Sequence, residues 1–474
     1  MDNRDLAVAV VADDLSGGAD CGVSFAHAGL DVAIQLDRHA APPDWAQAAV
    51  IPTDSRDAGP DEAQAAVTEA VAALASRRPA LWYKKIDSTL RGHLALELAV
   101  VIGGVRPDLT IVAPAFPAHG RTVIGGRGFL NGTPLESAEV WRAQGLNGPA
   151  GGAVLPALLR SSGGSAGGLR IQSLGLEDIR AGRAGEFLTG AAGPGAARGP
   201  AGTASVVVCD AETEDDLAAI ITGGLAAGGL AAGGLATGRR ILWVGSAGLA
   251  QHLAGLHVAG LHAGGRAGVS PPGPLAGAGR KPVAVVAGSA AGAAASQLAY
   301  LESRPGIRVV RVHPATILAD TAAGGAGTGA ARDLAAAGRA LGEALAAGQD
   351  VALGFVPPDA PGPRGGLLLG TAASRVLSRA LGELVARHND QIGGIVATGG
   401  DTALAVLGAC GITALRPVGE VVTGVPVSIA SPDGRPVVTK AGAFGDDQVL
   451  ARAVDVLHGR GGISAERNSF HVFR

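Results

Sequence analysis

Short runs rich in Val and Ile alternate with Ala- and Leu-rich stretches along almost the whole of this sequence. Strands are predicted at residues 7–12, 31–36, 81–85, 109–113, 205–209 and 241–245, and again, after a break, at 282–288, 307–312, 350–355 and 393–400. Apolar strands separated by helical stretches are typical of α/β folds. The pattern therefore predicts mainly parallel sheets flanked by helices.

The length and the break in this pattern predict two domains. Single hydrophobic cores stop growing at roughly 250–300 residues, and this chain has 474. Residues 259–282 are rich in Gly and Pro without periodicity and are predicted to be a linker between domains 1–258 and 283–474. Both halves open with a strand and a small-residue turn, VAVVADDLSGGAD and VAVVAGSAAGAAA. Ligands gather at such turns, so an active site is expected in the cleft between the domains.

Composition argues against several functional classes. The formal net charge is −3 and no basic tract is present, which argues against nucleic-acid binding. The three cysteines are far apart, so neither a disulfide framework nor a zinc site is expected. No long apolar run and no basic leader are visible, so the interpretation is a soluble cytoplasmic protein without membrane contact.

The stretch KKIDSTLRGH, residues 84–93, concentrates charge in a chain that is only 17% charged. It holds two of the four lysines, Lys84 and Lys85, together with Asp87 and Arg91. A helix is predicted to start at residues 87–89, and a helix N-terminus among cations favours an anion. The alternative is a strand edge whose lysines face water, but the scarcity of lysine argues against it.

Other polar turns follow predicted strands in the first half. Asp13 and Asp14 precede a Ser-Gly-Gly turn, where they serve either a ligand or the cap of a helix. Arg56 follows a short strand in the segment TDSR. A long loop over residues 112–135 carries Arg121 and Thr122 as further candidates. His93 and His119 are candidate acids, bases or ligands, and no HExxH or CxxC spacing indicates a protein-bound metal.

Three turns in the second half predict a nucleotide site. Ser289 follows the first strand, the segment Gly399-Gly400-Asp401-Thr402 follows another, and Gly442 follows the rare Lys440. Backbone amides at such turns bind phosphates. The sequence has no GxxxxGK[ST] motif and no GxGxxG after a strand, so it is neither a P-loop protein nor an ordinary Rossmann dehydrogenase.

Seven motifs in order, ADDLSGGAD, TDSR, KKIDSTLRG, APAFPAHGRT, VGSAGLA, ATGGDTA and VTKAGAFG, resemble the four-carbon acid sugar kinase family. The resemblance spans residues 8 to about 450. It implies transfer of a phosphoryl group from ATP to a sugar acid such as threonate, erythronate or 3-oxo-tetronate. It places the sugar acid on Asp13, Asp14, Arg56, Lys84, Lys85, Ile86 and Asp87, and ATP on Ser289, Gly399, Gly400, Asp401, Thr402 and Gly442.

The mechanism that follows is in-line transfer to the terminal hydroxyl. Asp14 or Asp87 would accept the hydroxyl proton, and Arg91 would neutralise phosphoryl oxygens. Arg56 with Lys84 or Lys85 would hold the substrate carboxylate. Mg²⁺ would be held mainly by ATP. The oligomeric state stays open, with a homodimer as one possibility.

The sequence departs from the family pattern at a few positions. Ser16 stands where Thr is usual, His93 and His119 where Asn is common, and Ala443 where Gly is usual. The two histidines are expected to influence which substrate fits.

Two other functions remain open at this point. One is a hydrolase or aldolase of phosphorylated sugars that uses Lys85 as a Schiff-base amine, although the polar neighbours Lys84 and Asp87 do not suit that role. The other is a non-catalytic protein that closes on a sugar acid and binds no ATP.

Overall fold

A computed structural model of the chain describes residues 5–138, 153–160, 169–192, 204–228, 239–262, 281–288, 292–322, 328–356, 371–442 and 444–463. The described residues form two compact units. The first unit takes its members from residues 1–33 and 38–269, and the second from 34–37 and 270–466. Ser289 and most of the predicted linker lie outside the described residues.

The first unit is built on a parallel sheet. Its strands run in the order β3-β1-β4-β11-β5-β10-β9, and every one of these neighbours is paired in parallel. The strands of this half of the chain are β1 (Val8–Ala12), β2 (Val32–Gln35), β3 (Ala48–Pro52), β4 (Leu81–Lys85), β5 (Leu109–Ala113), β6 (Arg121–Ile124), β7 (Arg127–Leu130), β8 (Thr133–Pro134), β9 (Leu169–Leu174), β10 (Ala204–Cys209) and β11 (Ile241–Gly245).

Helices connect these strands, as parallel pairing requires. They are α1 (Leu15–His27), α2 (Pro60–Ala75), α3 (Leu94–Val105), α4 (Leu155–Arg160), α5 (Leu176–Arg180), α6 (Ala184–Ala191), α7 (Glu214–Ala227) and α8 (Ala247–His262). Helix α8 extends through residues 259–262, which the sequence assigned to the linker.

The second unit repeats the parallel plan and adds an antiparallel edge. Its strands run in the order β13-β14-β12-β15-β18-β17-β16, in which only the pairs of β17 are antiparallel. They are β12 (Val283–Ala287), β13 (Ile307–Val312), β14 (Asp350–Phe355), β15 (Gly394–Thr398), β16 (Ala414–Glu420), β17 (Pro426–Ser431) and β18 (Pro436–Lys440). The helices are α9 (Gly292–Glu302), α10 (Pro314–Ala322), α11 (Thr328–Ala346), α12 (Thr371–Ala386), α13 (Gly400–Ala409) and α14 (Val449–Leu457).

Both cores are almost entirely aliphatic. Strands β1, β3, β4 and β5 are buried along their full length, as are β12 and β15. Strands buried on both faces read as continuous apolar runs rather than alternating ones. This is why the apolar runs predicted the strands so well.

The predicted α/β class is confirmed, and each strand predicted from the sequence is present with ends within two residues. Two local predictions are wrong. Helix α3 begins at Leu94 with His93 at its N-cap, so residues 87–89 lie in a loop and not at a helix N-terminus. The predicted long loop over 112–135 contains β6, β7 and β8, which form a small antiparallel sheet.

Within the described part of the chain, no helix is long and apolar enough to cross a membrane.

Candidate active site

Three neighbouring strands of the first unit end together. In the register of the sheet, Ala12 of β1 lies opposite Pro52 of β3 and opposite Lys85 of β4. The residues that follow are therefore brought to one edge: Asp13 and Asp14, then Thr53 to Arg56, then Ile86 and Asp87. The carboxyl edge of a parallel sheet is where α/β proteins bind ligands. The structure thus assembles three of the sequence motifs at one place.

Arg56 bridges the two adjacent carboxylates. Its Nε lies 2.8 Å from Asp13 Oδ2 and its Nη2 lies 2.6 Å from Asp14 Oδ1. Burial opposes ionisation of Asp13, but Arg56, Lys85 and Lys84 outweigh it and lower the pKa of this carboxyl. The same two carboxylates raise the pKa of Arg56 well above its ordinary value, against the effect of burial. Asp13 and Arg56 are therefore charged at neutral pH.

The two aspartates differ in their contacts other than those with Arg56. Asp13 Oδ1 is buried and has no hydrogen-bond partner within the described residues. Asp14 caps helix α1, because its Oδ1 accepts a hydrogen bond from the Gly17 amide at 3.0 Å, and its side chain is 15% exposed. Capping and a ligand role, which the sequence left as alternatives for Asp14, are therefore compatible.

The two adjacent lysines have different surroundings, because neighbouring residues on a strand point to opposite faces. Lys84 is fully buried, and its Nζ lies 2.6 Å from Glu97 Oε2 on α3. Glu97 Oε1 also accepts a hydrogen bond from Ser55 Oγ at 2.7 Å. Lys84 thus ties β4 to α3 and to the turn after β3. Glu97 was not predicted from the sequence as the partner of Lys84. The signal that could have found it was a glutamate within the apolar stripe of α3.

Lys85 is the last residue of β4, and its amine lies close to Asp14. Its Nζ donates a hydrogen bond to the carbonyl oxygen of Ile86 at 3.0 Å. Burial lowers its basicity, but Asp13 and Asp14 more than compensate and raise its pKa. Gly17 makes room for this amine, since a Cβ at that position would collide with Lys85 Nζ. Lys85 is therefore a fixed cation beside the two aspartates.

Asp87 and Arg91 form an ion pair within the loop between β4 and α3. Arg91 Nη2 donates to Asp87 Oδ1 at 3.1 Å, and its Nε donates to Oδ2. Thr89 Oγ1 also donates to Oδ2. Burial opposes ionisation of Asp87, yet Arg91, Arg56 and these hydrogen bonds hold its pKa far below the usual range. Asp87 is consequently a weak proton acceptor.

Arg121 enters the same cluster from the start of β6. Its backbone is fixed by paired hydrogen bonds with Phe116, at 2.8 and 3.1 Å. Its Nε is buried and has no hydrogen-bond partner in the described part of the chain. Burial and Arg91 lower the pKa of Arg121, while Asp87 partly offsets them. In the sequence Arg121 was only one of two candidates in its loop.

The two histidines that depart from the family pattern differ in their contacts. His93 Nε2 lies 2.6 Å from the carbonyl oxygen of Ala58, so its ring fixes the start of α3 to the segment after β3. The His119 ring packs edge to face against the Phe116 ring, with 4.3 Å between the two ring centroids. Burial, followed by Arg121, lowers the pKa of His119.

In the second unit, three strands also end together at one edge of the sheet. Ala287 of β12 lies opposite Thr398 of β15, and Thr398 lies opposite Lys440 of β18. Gly399 follows β15 with φ +97°, a conformation that requires glycine, and helix α13 begins at the next residue. The amides of Gly400, Asp401 and Thr402 are therefore at a helix N-terminus, which favours phosphate.

The side chains in this turn are partly committed within the unit. Asp401 accepts a hydrogen bond from Ser374 Oγ at 3.1 Å, and Thr402 Oγ1 lies 3.2 Å from Ser378 Oγ. Thr402 is buried, so any contact it makes with a ligand comes from its backbone. The turn is thus a site of amides with few charged side chains.

Lys440 lies beneath this turn, and the sequence did not assign it to the site. Its Nζ donates to Thr398 Oγ1 at 3.1 Å, to the Ala441 carbonyl at 2.9 Å and to the Gly442 carbonyl at 3.1 Å. These partners are all neutral. Burial lowers the pKa of Lys440 to about 8. Within the described residues, therefore, no carboxylate contacts the ammonium group of Lys440 to balance its charge.

Comparison with known proteins agrees with this division. Residues 8–253 match the family described as the sugar-binding N-terminal domain, and residues 284–450 match the nucleotide-binding C-terminal domain. The D-threonate kinase of Cupriavidus necator is 40% identical over 94% of this chain and 96% of its own length. The 3-oxo-tetronate kinase of Methylobacterium radiotolerans is 28% identical over 95% of this chain and 99% of its own.

The chain belongs to the four-carbon acid sugar kinase family. The resemblance carried by the seven sequence motifs is confirmed by these matches. A solved structure of a protein from Salmonella typhimurium LT2 has the same fold, with a TM-score of 0.69, 21% identity, and coverage of 94% of this chain and 98% of that one.

In this family member, the structure brings together most of the residues expected to bind the sugar acid. Asp13, Asp14, Arg56, Lys85 and Asp87 lie at one edge, Arg91 pairs with Asp87, and Ile86 follows Lys85. Lys84 is directed to Glu97 instead. Of the residues expected to bind ATP, Gly399 to Thr402 and Gly442 lie at one edge of the second unit, while Ser289 lies outside the described residues.

Proposed function

We propose that this protein is an ATP-dependent kinase that phosphorylates the terminal hydroxyl of a four-carbon sugar acid, with D-threonate as the first candidate. The proposal is supported by the 40% identical relative that is named D-threonate kinase and by the charged edge of the first unit. A phosphoryl transfer needs positioned groups and charge stabilisation more than covalent chemistry.

The observation that carries the proposal is the pair of carboxylates held by one arginine. Asp13 offers a buried oxygen that has no partner among the described residues, and Asp14 is partly exposed beside it. A polyhydroxy acid presents several hydroxyl donors, and hydrogen bonds from neutral donors to carboxylates are among the strong ones. In this proposal Asp13 orients the substrate hydroxyls, while Arg56 holds both carboxylates in place.

Asp14 is the better general base of the two that the sequence left open. Asp87 is bonded by Arg91 and Thr89, and its pKa is held far below the usual range. Asp14 has a partly exposed side chain, within the reach of a bound hydroxyl. Lys85 remains a substrate-binding cation, and Arg91 stabilises charge through the loop that it shares with Asp87. The proposal leaves Lys84 out, because its amine is committed to Glu97.

The nucleotide is assigned to the second unit. Its phosphates would bind the amides that begin α13, with the charge of Lys440 beneath them. Among the described residues, no three His, Cys, Asp or Glu side chains come together to hold a metal ion. In this proposal Mg²⁺ is carried mainly by ATP, where it neutralises phosphate charge, with Asp401 as a single protein ligand. Closure of the two domains and a cytoplasmic location stay predictions, and a homodimer stays one possibility.

The alternatives are less well supported. A Schiff-base lysine needs a lowered pKa, whereas Asp13 and Asp14 raise that of Lys85. A non-catalytic sugar-acid binder would not need a nucleotide-binding domain, yet residues 284–450 match that family.

An assay of ATP consumption with Mg²⁺ tests the proposal against D- and L-threonate, D- and L-erythronate and 3-oxo-tetronates, with mass spectrometry of the product. Phosphorylation of D-threonate is expected to be fastest. Turnover of 3-oxo-tetronate alone would keep the class and change the substrate. Absence of turnover with every acid, under conditions where ATP is stable and the protein folded, would overturn the proposed function.

A further inference from the structure

The first unit places several cations at its sheet edge, and most of them are already neutralised by the protein. Arg56 is shared between Asp13 and Asp14, Lys84 pairs with Glu97, and Arg91 pairs with Asp87. Lys85 faces the two aspartates at the end of β1. A substrate carboxylate that approached these cations would have to compete with the Asp and Glu side chains that already bond them.

Arg121 differs from them in its contacts. Within the described residues its guanidinium makes neither a hydrogen bond nor an ion pair, and its Nε is buried. The charged groups that act on it are Asp87 and Arg91, which already bond each other. A buried donor without an acceptor is costly and needs an explanation in the structure. The backbone of Arg121 is held by Phe116, so the side chain is presented from a fixed point.

We propose that Arg121 binds the carboxylate of the sugar acid and thereby sets the preference for acids over neutral polyols. This proposal rests on the proposed function and names a specificity residue for it. A guanidinium matches a carboxylate with two parallel hydrogen bonds. This suits Arg121, whose Nε has no acceptor in the part of the chain that the structure describes. Placing the carboxylate here leaves Asp13 and Asp14 for the hydroxyl end of the substrate, because like charges repel.

In this proposal the two ends of the substrate bind to different residues of the site. Strand β5, which leads into the turn before Arg121, ends opposite Gly245 of β11, and Gly245 lies opposite Lys85 of β4. The turn that carries Arg121 therefore leaves the same sheet edge three strands along from β1, which carries the two aspartates, and Asp87 after β4 acts on both Arg56 and Arg121. An acid would therefore lie with its carboxylate on Arg121 and its hydroxyls towards the aspartates. A neutral analogue would keep the hydroxyl contacts and lose only the contact with Arg121.

The test compares the acid with its amide in Arg121→Gln. Wild type is expected to prefer D-threonate to D-threonamide, and the variant is expected to lose about 100-fold in kcat/KM for the acid, mainly through KM. Its kcat/KM for the amide and its KM for ATP should stay close to those of wild type. Arg170→Gln is the matched control, because Arg170 is exposed on β9 of the same unit, and it should change neither substrate.

Two results would overturn the inference. An unchanged kcat/KM for the acid would show that Arg121 does not bind it, and an equal loss for acid and amide would assign Arg121 to the phosphoryl group or to folding. If Arg121→Gln fails to fold, Arg121→Lys takes its place in the test. Lysine keeps the positive charge but cannot make the two parallel hydrogen bonds, so kcat/KM should fall about 10-fold for the acid and stay unchanged for the amide. An inactive wild type would be a failure of the proposed function, which is a different outcome from an active wild type with an indifferent Arg121.

Discussion

The two sheet edges differ in what they offer a ligand. The edge of the first unit is crowded with charged side chains: Asp13, Asp14, Arg56, Lys85, Asp87, Arg91 and Arg121. The edge of the second unit offers helix-terminal amides, a glycine turn and one buried lysine. A sugar acid has an individual pattern of hydroxyls and charge, which only side chains can match. Nucleotide phosphates need amides in a fixed geometry. We therefore expect the first site to depend on side-chain charge and the second on backbone conformation.

The largest effect is expected from Asp14→Asn. Asparagine caps a helix as well as aspartate does, so the fold should persist while the proton acceptor is lost. We expect kcat to fall by about 10²–10⁴-fold, the usual contribution of a general base, with nucleotide binding unchanged. Steady-state kinetics and a nucleotide titration would measure both. The exposed Asp61→Asn is the control, and a near-normal kcat in Asp14→Asn would remove Asp14 from the role of base.

The next largest effect separates the two adjacent lysines. Lys84→Met should lower the free energy of unfolding by about 3–5 kcal/mol, because it leaves Glu97 buried without its partner. Urea unfolding would measure this loss. The double variant Lys84→Met with Glu97→Leu should recover much of it, since an apolar pair often replaces a buried ion pair without loss. If the single variant is as stable as wild type, Lys84 is not a structural residue.

A smaller effect tests the backbone of the second site. Gly399→Ala forces a side chain into φ +97°, at a cost of about 1–3 kcal/mol. If the turn relaxes to avoid this strain, the amides move, and nucleotide affinity should fall while sugar-acid binding does not change. Gly348→Ala is the matched control, because Gly348 also has a positive φ of +72° in the same unit with open space around it. Equal nucleotide affinity in the two variants would contradict the predicted role of the turn.

The smallest effect is a pH dependence confined to the second site. The pKa of Lys440 is about 8 in the folded protein, below its ordinary value of 10.5. Between these values the unfolded chain holds more protons, so the contribution of Lys440 to the free energy of unfolding rises with pH. Bound phosphates should raise this pKa again. Nucleotide affinity should therefore weaken as pH rises through about 8.

Calorimetry in two buffers of different ionisation enthalpy would detect the proton taken up with the nucleotide. Lys440→Met should abolish the uptake. The affinity for the sugar acid should not change over the same pH range, because Asp13 and Asp14 raise the pKa of Lys85 above its ordinary value. A nucleotide affinity that does not change across this range would contradict a role for the charge of Lys440.

Much of the fold could be predicted because strands that are buried on both faces appear in the sequence as uninterrupted runs of apolar residues. The start of α3 could not, since Asp-Ser-Thr resembles a helix cap, while the chain here forms a loop around the Asp87–Arg91 pair. Strands such as β16, with a proline and an alternating burial pattern, gave a weaker signal. Most residues predicted to bind the sugar acid lie at one sheet edge, and their roles stay predictions. Pairings between distant residues, such as Lys84 with Glu97, were not readable from local patterns.

The loop between β4 and α3 is anchored before any ligand arrives. The Ile86 amide donates to the Gly245 carbonyl at 2.9 Å at one end, and His93 bonds to Ala58 at the other. A segment held this way loses little conformational entropy on binding, so affinity is gained by avoiding that loss rather than by adding contacts. The same anchoring means that a substitution at the partly exposed Ser88 would leave the rest of the loop in place.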